Sequence, residues 1–126
     1  MRKQITSKKG APPKGAYSPA IMADGPMVYV SGQGPVDPET GEMRLGSFRE
    51  QAELAFQNIS ALLEAAGTSW AEVVRVGVFL ADLGNFAEMN EIYQSYLTEP
   101  YPARTTVQAG LPAKMLIEVD CIARIP

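Results

Sequence analysis

The clearest alternation of apolar and polar residues lies near the end of the chain and predicts two strands. Over Met115–Ala123, apolar side chains alternate with acidic ones, among them Glu118, which is the two-residue period of a strand with one buried face. Tyr101–Ala109 alternates in the same way and puts Arg104 on its polar face. Opposed residues of an antiparallel pair have a constant sum of residue numbers, so a hairpin folded about Leu111 places Arg104 directly opposite Glu118.

Four further segments have strand patterns. Tyr17–Ala23 and Met27–Ser31 flank an Asp-Gly-Pro turn, which predicts a hairpin. Val73–Leu80 is apolar on both sides, as expected for a central strand covered by helices. Gly77 interrupts one of its faces and marks either a β-bulge or a point at which another group packs closely against the strand. A short edge strand is predicted around Gln4–Ser7.

Two segments show the 3.6-residue period of helices. Ser47–Ala66 opens with a capping box between its first residue and Glu50, carries one apolar stripe and is followed by Gly67, which suits a C-terminal cap. Asn85–Leu97 is the second helix, in which the first residue and Glu88 make a capping pair. The order β, β, β, α, β, α, β, β predicts an α+β fold, a two-layer sandwich of a mixed sheet with both helices on one face.

Composition narrows the chemistry. With 126 residues and 46% hydrophobic content, the chain is expected to form one domain over residues 1–126. It has no histidine and one cysteine, which excludes Ser-His-Asp and Cys-His nucleophiles and zinc sites built on these residues, so we expect no metal and no other cofactor. No apolar run approaches the length of a membrane span or a signal-peptide core, and we expect a cytoplasmic protein.

The charge balance argues against a nucleic-acid partner. The net charge is -3, which disfavours a broad phosphate-binding surface. Five of the eleven basic residues nevertheless fall in the first fourteen positions, without the interleaved aromatic residues that stack on bases. We interpret this arm as a solvated terminus; its residues are Arg2, Lys3, Lys8, Lys9 and Lys14.

Several short motifs carry a family resemblance in combination. They are Gly15-Ala16-Tyr17-Ser18, Val28-Tyr29-Val30-Ser31-Gly32-Gln33, Pro102-Ala103-Arg104-Thr105, Leu111-Pro112 and Ile117-Glu118-Val119. Together they resemble the Rid (reactive intermediate deaminase) family, to which translation inhibition and endoribonuclease activity are also ascribed. The segment between Arg104 and Glu118 is one residue shorter than is usual in that family, and Gly110 stands near where a basic residue is often found.

The resemblance implies a fold, an assembly and an activity. The fold is similar to that of trimeric bacterial chorismate mutase, and three copies form a homotrimer with ligand pockets between the subunits. The implied activity is the cofactor-independent hydrolysis of 2-enamines and 2-imines, such as 2-aminoacrylate and 2-iminopropionate, to 2-keto acids and ammonia. The expected partners are therefore a small-molecule imine and further copies of the chain, with no membrane and no nucleic acid.

The resemblance also implies site residues. The catalytic set is Arg104, Glu118 and Tyr17, and the substrate-binding set is Arg104, Thr106, Asn90 and Gly32. A guanidinium binds a planar carboxylate through two parallel hydrogen bonds, so Arg104 is expected to fix the substrate carboxylate. Glu118, ionised beside that cation, is expected to orient the attacking water and to stabilise the protonated iminium.

The other residues have both a functional and a structural interpretation. Tyr17 supplies a phenol to the substrate or packs a subunit interface, and Gly32 admits the ligand or only ends a strand. Asn90 shares the apolar stripe of its helix, where it contacts the ligand or bonds backbone and water. Thr106 is expected to use its backbone groups, at a position where the family often has cysteine, and Asp120 is an alternative acid on the face of Glu118.

Three other hypotheses remain open. In the first, the Arg104–Glu118 pair is only a solvated cross-strand ion pair, which contributes at most about 1 kcal/mol in any sheet. In the second, the protein is a trimer that binds or senses a small molecule without turnover. In the third, it is an endoribonuclease, although the lack of histidine and the acidic composition argue against this.

Overall fold

The computed structural model describes all 126 residues of the chain. Six strands and two α-helices follow one another as β1 (Arg2–Ile5), β2 (Ala20–Ala23), β3 (Met27–Gln33), α1 (Phe48–Ala65), β4 (Val73–Leu80), α2 (Phe86–Tyr96), β5 (Ala103–Gln108) and β6 (Ile117–Arg124). Both helices and β4 lie within one residue of their predicted bounds. β1 lies two residues before its predicted position. β2 ends at Ala23 as predicted but begins three residues later than expected, because the segment around Tyr17 is irregular.

The main sheet is mixed, and both helices pack on one of its faces. Its strand order is β3-β6-β4-β5, with β4 and β5 parallel and the other neighbours antiparallel. β1 and β2 form a separate two-stranded sheet. The predicted α+β two-layer sandwich is therefore confirmed. Neither helix has the length and apolar character that a membrane crossing requires.

The two helices begin differently. Ser47 and Glu50 form the predicted capping box, in which the Glu50 amide donates to Ser47 Oγ at 3.2 Å, and Gly67 lies beyond the helix end with a φ of +81°. The predicted capping pair of Asn85 and Glu88 is wrong. A 3-10 turn over Leu83–Asn85 leads into α2, so Asn85 already has near-helical backbone angles and its side chain makes no capping bond.

The predicted hairpin between Tyr17–Ala23 and Met27–Ser31 is also wrong. The chain does reverse around Gly25, but its two arms enter different sheets, β2 pairing with β1 and β3 with β6. The Ile125 amide donates to the Pro26 carbonyl at 2.8 Å. This bond joins the residue before β3 to the residue after β6, so the two strands are already paired where β3 begins.

The predicted hairpin about Leu111 is wrong as well, because β4 lies between β5 and β6. A strand reached through a crossover helix runs parallel to the strand it left, and α2 connects β4 to β5 in this way. The connection from β5 to β6 then passes over the end of β4. The Ala109 amide donates to the Leu80 carbonyl, and the Ala81 amide donates to the Leu116 carbonyl.

The two faces of the sheet differ in how they are covered. The face toward the helices holds the core, in which Val76, Val78 and Val119 are fully buried. The opposite face, which we call the open face, carries no helix, and Tyr29 on it is 73% exposed. Gly77 lies on the open face, and the Asp120 side chain packs where a Cβ atom would be, so this glycine marks a close approach.

Candidate functional site

Arg104 lies on the helix-facing side of β5, at the edge of the sheet. It is aligned with the buried Val76 of β4, and its side chain reaches α2 rather than the open face. Thr106, two residues on, faces the same way, because side chains alternate along a strand. The β4–α2–β5 crossover therefore places a cation between an edge strand and the helix that covers it.

Four side chains hold the Arg104 guanidinium. Nη1 donates to Oδ1 of Asn90 at 2.6 Å. The guanidinium carbon lies 4.7 Å from the ring centroid of Tyr93, 5.6 Å from that of Phe86 and 5.9 Å from that of Tyr17. Contacts of this kind attract a cation to the face of an aromatic ring, by roughly 0.5–2 kcal/mol each. The orientation of the side chain is thus set from several sides within one chain.

The charge of Arg104 has no partner in the chain. Burial lowers its pKa, while the neighbouring Tyr93 and Tyr17 act in the opposite direction, and a guanidinium still keeps its proton at neutral pH. No carboxylate lies within 4 Å of it, and Asn90 is the only side chain to which it donates. A half-buried cation with unused donors favours an anionic ligand.

Tyr17 joins this pocket through an irregular segment that is fastened to the start of β5. The buried Ser18 donates its amide to the Pro102 carbonyl at 3.0 Å and its hydroxyl to the Tyr101 carbonyl. The pocket has a volume of about 380 Å³, near the small end of the roughly 300–1,000 Å³ typical of ligand sites. Its lining consists of Lys14, Gly15, Tyr17, Phe86, Asn90, Arg104, Thr105 and Thr106.

Two buried hydroxyl groups beside Arg104 lack hydrogen-bond partners. They are Oγ1 of Thr106, which lines the pocket, and Oη of Tyr93. Burial raises the pKa of Tyr93, so its phenol is neutral at physiological pH. Buried polar groups are nearly always paired, so two unpaired hydroxyl groups beside one cation are unusual.

Glu118 lies elsewhere, on the open face of β6. It is aligned with Phe79 of β4, and a Cβ atom built on Gly32 of β3 would lie 2.6 Å from its Oε2. Gly32 therefore provides the room in which the Glu118 side chain lies. Glu118 makes no ion pair and no side-chain hydrogen bond in the chain, and Asp120 lies against Gly77 on the same face.

The structure separates the predicted site into two groups. Arg104, Asn90, Tyr17 and Thr106 share one pocket, whereas Glu118 with Gly32 lies on the opposite side of the sheet. From their alignment with Val76 and Phe79 on β4, the Cα atoms of Arg104 and Glu118 are roughly 14 Å apart. The expectation that these two side chains meet within one chain is wrong, because β4 intervenes.

Sequence reasoning missed part of the pocket. The spacing of Phe86 and Tyr93 indicates only the buried apolar stripe of α2, yet both rings contact Arg104. Their spacing of four and three residues from Asn90 puts all three on one helix face, which could have indicated a shared role. Lys14 had been interpreted as part of a solvated arm, and nothing in the local pattern pointed to the pocket.

No other reactive cluster is present. No group of three or more His, Cys, Asp or Glu side chains is arranged to hold a metal ion. The thiol of Cys121 is buried in the core, and burial raises its pKa to about 12, so it carries no nucleophilic charge at neutral pH.

Comparison with known proteins agrees with the fold. A family model described as Endoribonuclease L-PSP matches residues 8–125. A RutC family protein of Pyrococcus abyssi is 46% identical over 125 residues, covering 98% of each chain. The 2-iminobutanoate/2-iminopropanoate deaminase of Rattus norvegicus is 40% identical over 124 residues, covering 98% of this chain and 90% of its own.

Solved structures give the same result. The crystal structure of RidA from an Antarctic Psychrobacter bacterium matches with a TM-score of 0.75 and 44% identity, over 98% of this chain and 99% of that one. The sequence motifs, the sandwich and these matches together show that the chain belongs to the Rid family, whose members include the rat imine deaminase.

Proposed function

We propose that the protein hydrolyses 2-imines and 2-enamines of amino acids, such as 2-iminopropionate and 2-aminoacrylate, to 2-keto acids and ammonia without a cofactor. The observation that carries this proposal is the unpaired guanidinium of Arg104, held by Asn90 and three aromatic rings at a pocket. The name of the rat relative supports the same reaction.

Arg104 binds the carboxylate of the substrate. Nη1 is already directed by Asn90, and the remaining N–H groups have no acceptor in the chain, so two of them are free for a bidentate carboxylate. Binding at this fork places the adjacent imine carbon near Thr106 and Tyr17, which line the same pocket. The Thr106 hydroxyl then finds the partner that it lacks in the free chain.

The acid comes from a neighbouring subunit. The open face carries the exposed Tyr29 and Val107, and with the half-buried Phe79 and Ile122 these line a hollow of about 540 Å³. Apolar surface of this kind is normally covered by another molecule. We propose that three copies cover one another's open faces in a homotrimer, and that Glu118 of each copy closes the arginine pocket of the next.

The chemistry needs only positioning and proton transfer. Glu118 accepts a hydrogen bond from the attacking water and stabilises the protonated iminium. An imine becomes the iminium by taking a proton at nitrogen, and an enamine by taking one at carbon. The water oxygen then bonds to the iminium carbon and one of its protons passes to the nitrogen. The C–N bond breaks, which releases ammonia and the keto acid, and the second water proton returns to solvent. Imines hydrolyse slowly in water unaided, and a positioned acid-base group contributes about 10²- to 10⁴-fold.

The test generates 2-iminopropionate with an amino-acid oxidase in the presence of semicarbazide, which traps the free imine. A deaminase lowers the yield of semicarbazone. Arg104→Lys retains the charge but loses the fork, so we expect kcat/KM to fall roughly 10- to 150-fold, which corresponds to about 1.5–3 kcal/mol.

The matched control is Arg49→Lys on the surface of α1, where the arginine pairs with Glu88 and Glu91, and it should behave like wild type. Near-normal turnover by Arg104→Lys contradicts the carboxylate role. Ligand-dependent melting shifts without turnover by the wild-type protein support a binding protein instead. RNA cleavage that survives Arg104→Ala supports the nuclease alternative.

A further inference from the structure

Lys14 lies against the same pocket as Arg104, at the end of the basic N-terminal segment. Its backbone amide donates to Oη of Tyr17 at 3.3 Å, which fixes the residue beside a wall of the pocket. The next residue, Gly15, packs toward the guanidinium, since a Cβ atom built there would lie 3.9 Å from Nη2 of Arg104. The segment that carries Lys14 thus runs directly past the cation that we assign to the substrate carboxylate.

Both charged residues that line the pocket are cations. Of its eight lining residues, Lys14 and Arg104 are the only ones that are charged at neutral pH. Neither has a carboxylate within 4 Å, whereas Arg44, Arg49 and Arg124 all form ion pairs. Two unpaired cations at one small pocket favour a ligand with more than one negative charge.

The charge count of the proposed reaction leaves Lys14 without a role. In the proposed site, Arg104 pairs with the carboxylate of the substrate and Glu118 of a neighbouring subunit pairs with the iminium. A monocarboxylic iminium carries those two charges only. The ammonium group of Lys14, on a long and flexible side chain, is a third charge that no part of such a substrate matches.

We propose that Lys14 makes the site selective for imines of amino dicarboxylic acids, by binding the second, side-chain carboxylate. This inference rests on the proposed function and specifies its substrate class. The reaction is unchanged: water adds to the iminium carbon, one of its protons passes to the nitrogen and the other to solvent, and ammonia leaves, so that 2-iminosuccinate yields oxaloacetate. A pocket of about 380 Å³ has room for the additional carboxylate.

The experiment compares two imines with the semicarbazide trap. An aspartate oxidase generates 2-iminosuccinate, and an amino-acid oxidase acting on alanine generates 2-iminopropionate. The quantity measured is the ratio of kcat/KM for the dicarboxylic imine to that for the monocarboxylic imine. In Lys14→Met we expect this ratio to fall about tenfold, the scale of one lost charge-assisted hydrogen bond.

Further variants separate charge from bulk. Lys14→Arg keeps the cation and should keep the ratio within about threefold, whereas Lys14→Glu repels the second carboxylate and should lower it further than Lys14→Met. Lys9→Met removes a lysine of the same exposed segment that lines no pocket, and it should leave the ratio as in wild type. Thermal melts check that each variant is folded.

The outcomes distinguish this inference from the proposed function. A ratio that Lys14→Met leaves unchanged, with the alanine imine still turned over, overturns the role of Lys14 and leaves the deaminase proposal intact. A wild-type protein that accelerates the hydrolysis of neither imine overturns both. A ratio that falls equally in Lys14→Met and Lys9→Met overturns the inference too, since the effect is then one of overall charge.

Discussion

The two faces of the sheet hold their candidate site residues in different ways. On the helix-covered face, Arg104 is oriented by Asn90 and by three aromatic rings, all within one chain. On the open face, Glu118 has no ion pair and no hydrogen bond, and its place depends on the space that Gly32 leaves. The comparison teaches that the side chains around Arg104 form a complete set in a single copy, whereas Glu118 has no partner there, as expected if the proposed site is completed by another copy.

The largest expected effect comes from combining two inactive variants. If Arg104 and Glu118 act across a subunit boundary, Arg104→Ala and Glu118→Gln should each be inactive alone, yet active when co-expressed at equal levels. In randomly mixed trimers about a quarter of the sites combine an intact arginine with an intact glutamate, so about a quarter of wild-type activity should return.

The control is to mix the two variants after each has been purified and folded separately, under conditions in which subunits do not exchange. That mixture should stay inactive. Co-expressed protein that forms mixed oligomers in native mass spectrometry but shows no activity places the two residues in one chain. Activity of Glu118→Gln on its own removes Glu118 from the mechanism.

A smaller effect is expected from Gly32→Ala, which tests how the open face holds its acid. A methyl group there collides with the Glu118 carboxylate, whose flexible end can move aside. We expect kcat to fall roughly tenfold to a hundredfold, because small displacements of a catalytic group have effects of this size. The melting temperature should change little.

Gly110→Ala is the matched control, since a Cβ atom at Gly110 meets nothing within 4 Å and the residue has no positive φ. It should be as active as wild type. Normal activity of Gly32→Ala would mean that the position of Glu118 over this glycine is unimportant for the reaction.

The smallest effect concerns Tyr93, on the covered face. Its phenol is buried without a partner, and burial raises its pKa above the usual value of about 10. Above that pH the unfolded chain loses a proton that the folded chain retains, so stability falls as pH rises toward the raised pKa, by up to about 1.4 kcal/mol per pH unit. Tyr93→Phe removes the phenol, so this fall in stability at high pH should disappear, while the aromatic ring beside Arg104 is kept.

Thermal melts at pH 7.5 and 10.5 measure the difference. At pH 7.5 we expect Tyr93→Phe to be at least as stable as wild type, and at pH 10.5 its advantage should grow. Tyr96→Phe is the matched contrast, because the Tyr96 hydroxyl donates to Glu53 at 2.8 Å and its loss should destabilise the protein at pH 7.5. Equal behaviour of the two variants would show that the Tyr93 hydroxyl has a partner in solution.

Local patterns predicted the elements of the fold well. The capping box at Ser47, the apolar stripes and the doubly apolar run at Val73–Leu80 are each set by residues close in sequence. Asn90 could be singled out for the same reason, since a polar residue on an apolar helix stripe requires a partner, and Arg104 is that partner.

Strand pairing could not be predicted in the same way. Alternation correctly indicates which side chains of β5 and β6 share a face, but it does not say which strands are neighbours. Proximity in sequence favoured a hairpin, whereas the crossover through α2 puts β5 parallel to β4 and leaves β6 on the other side. The separation of Arg104 from Glu118 follows from this long-range choice, to which no single residue pair points.

Because β4 lies between β5 and β6, Arg104 and Glu118 are separated within one copy of the chain. Under the proposed arrangement, a chain isolated by dilution would remain a receptor for carboxylates, because Arg104 and its supporting side chains come from one copy. It would lose its catalytic activity, because no neighbouring subunit would supply Glu118. Affinity and turnover would then respond differently to protein concentration, so a ligand-binding signal in a very dilute sample would be no guide to whether the enzyme is working.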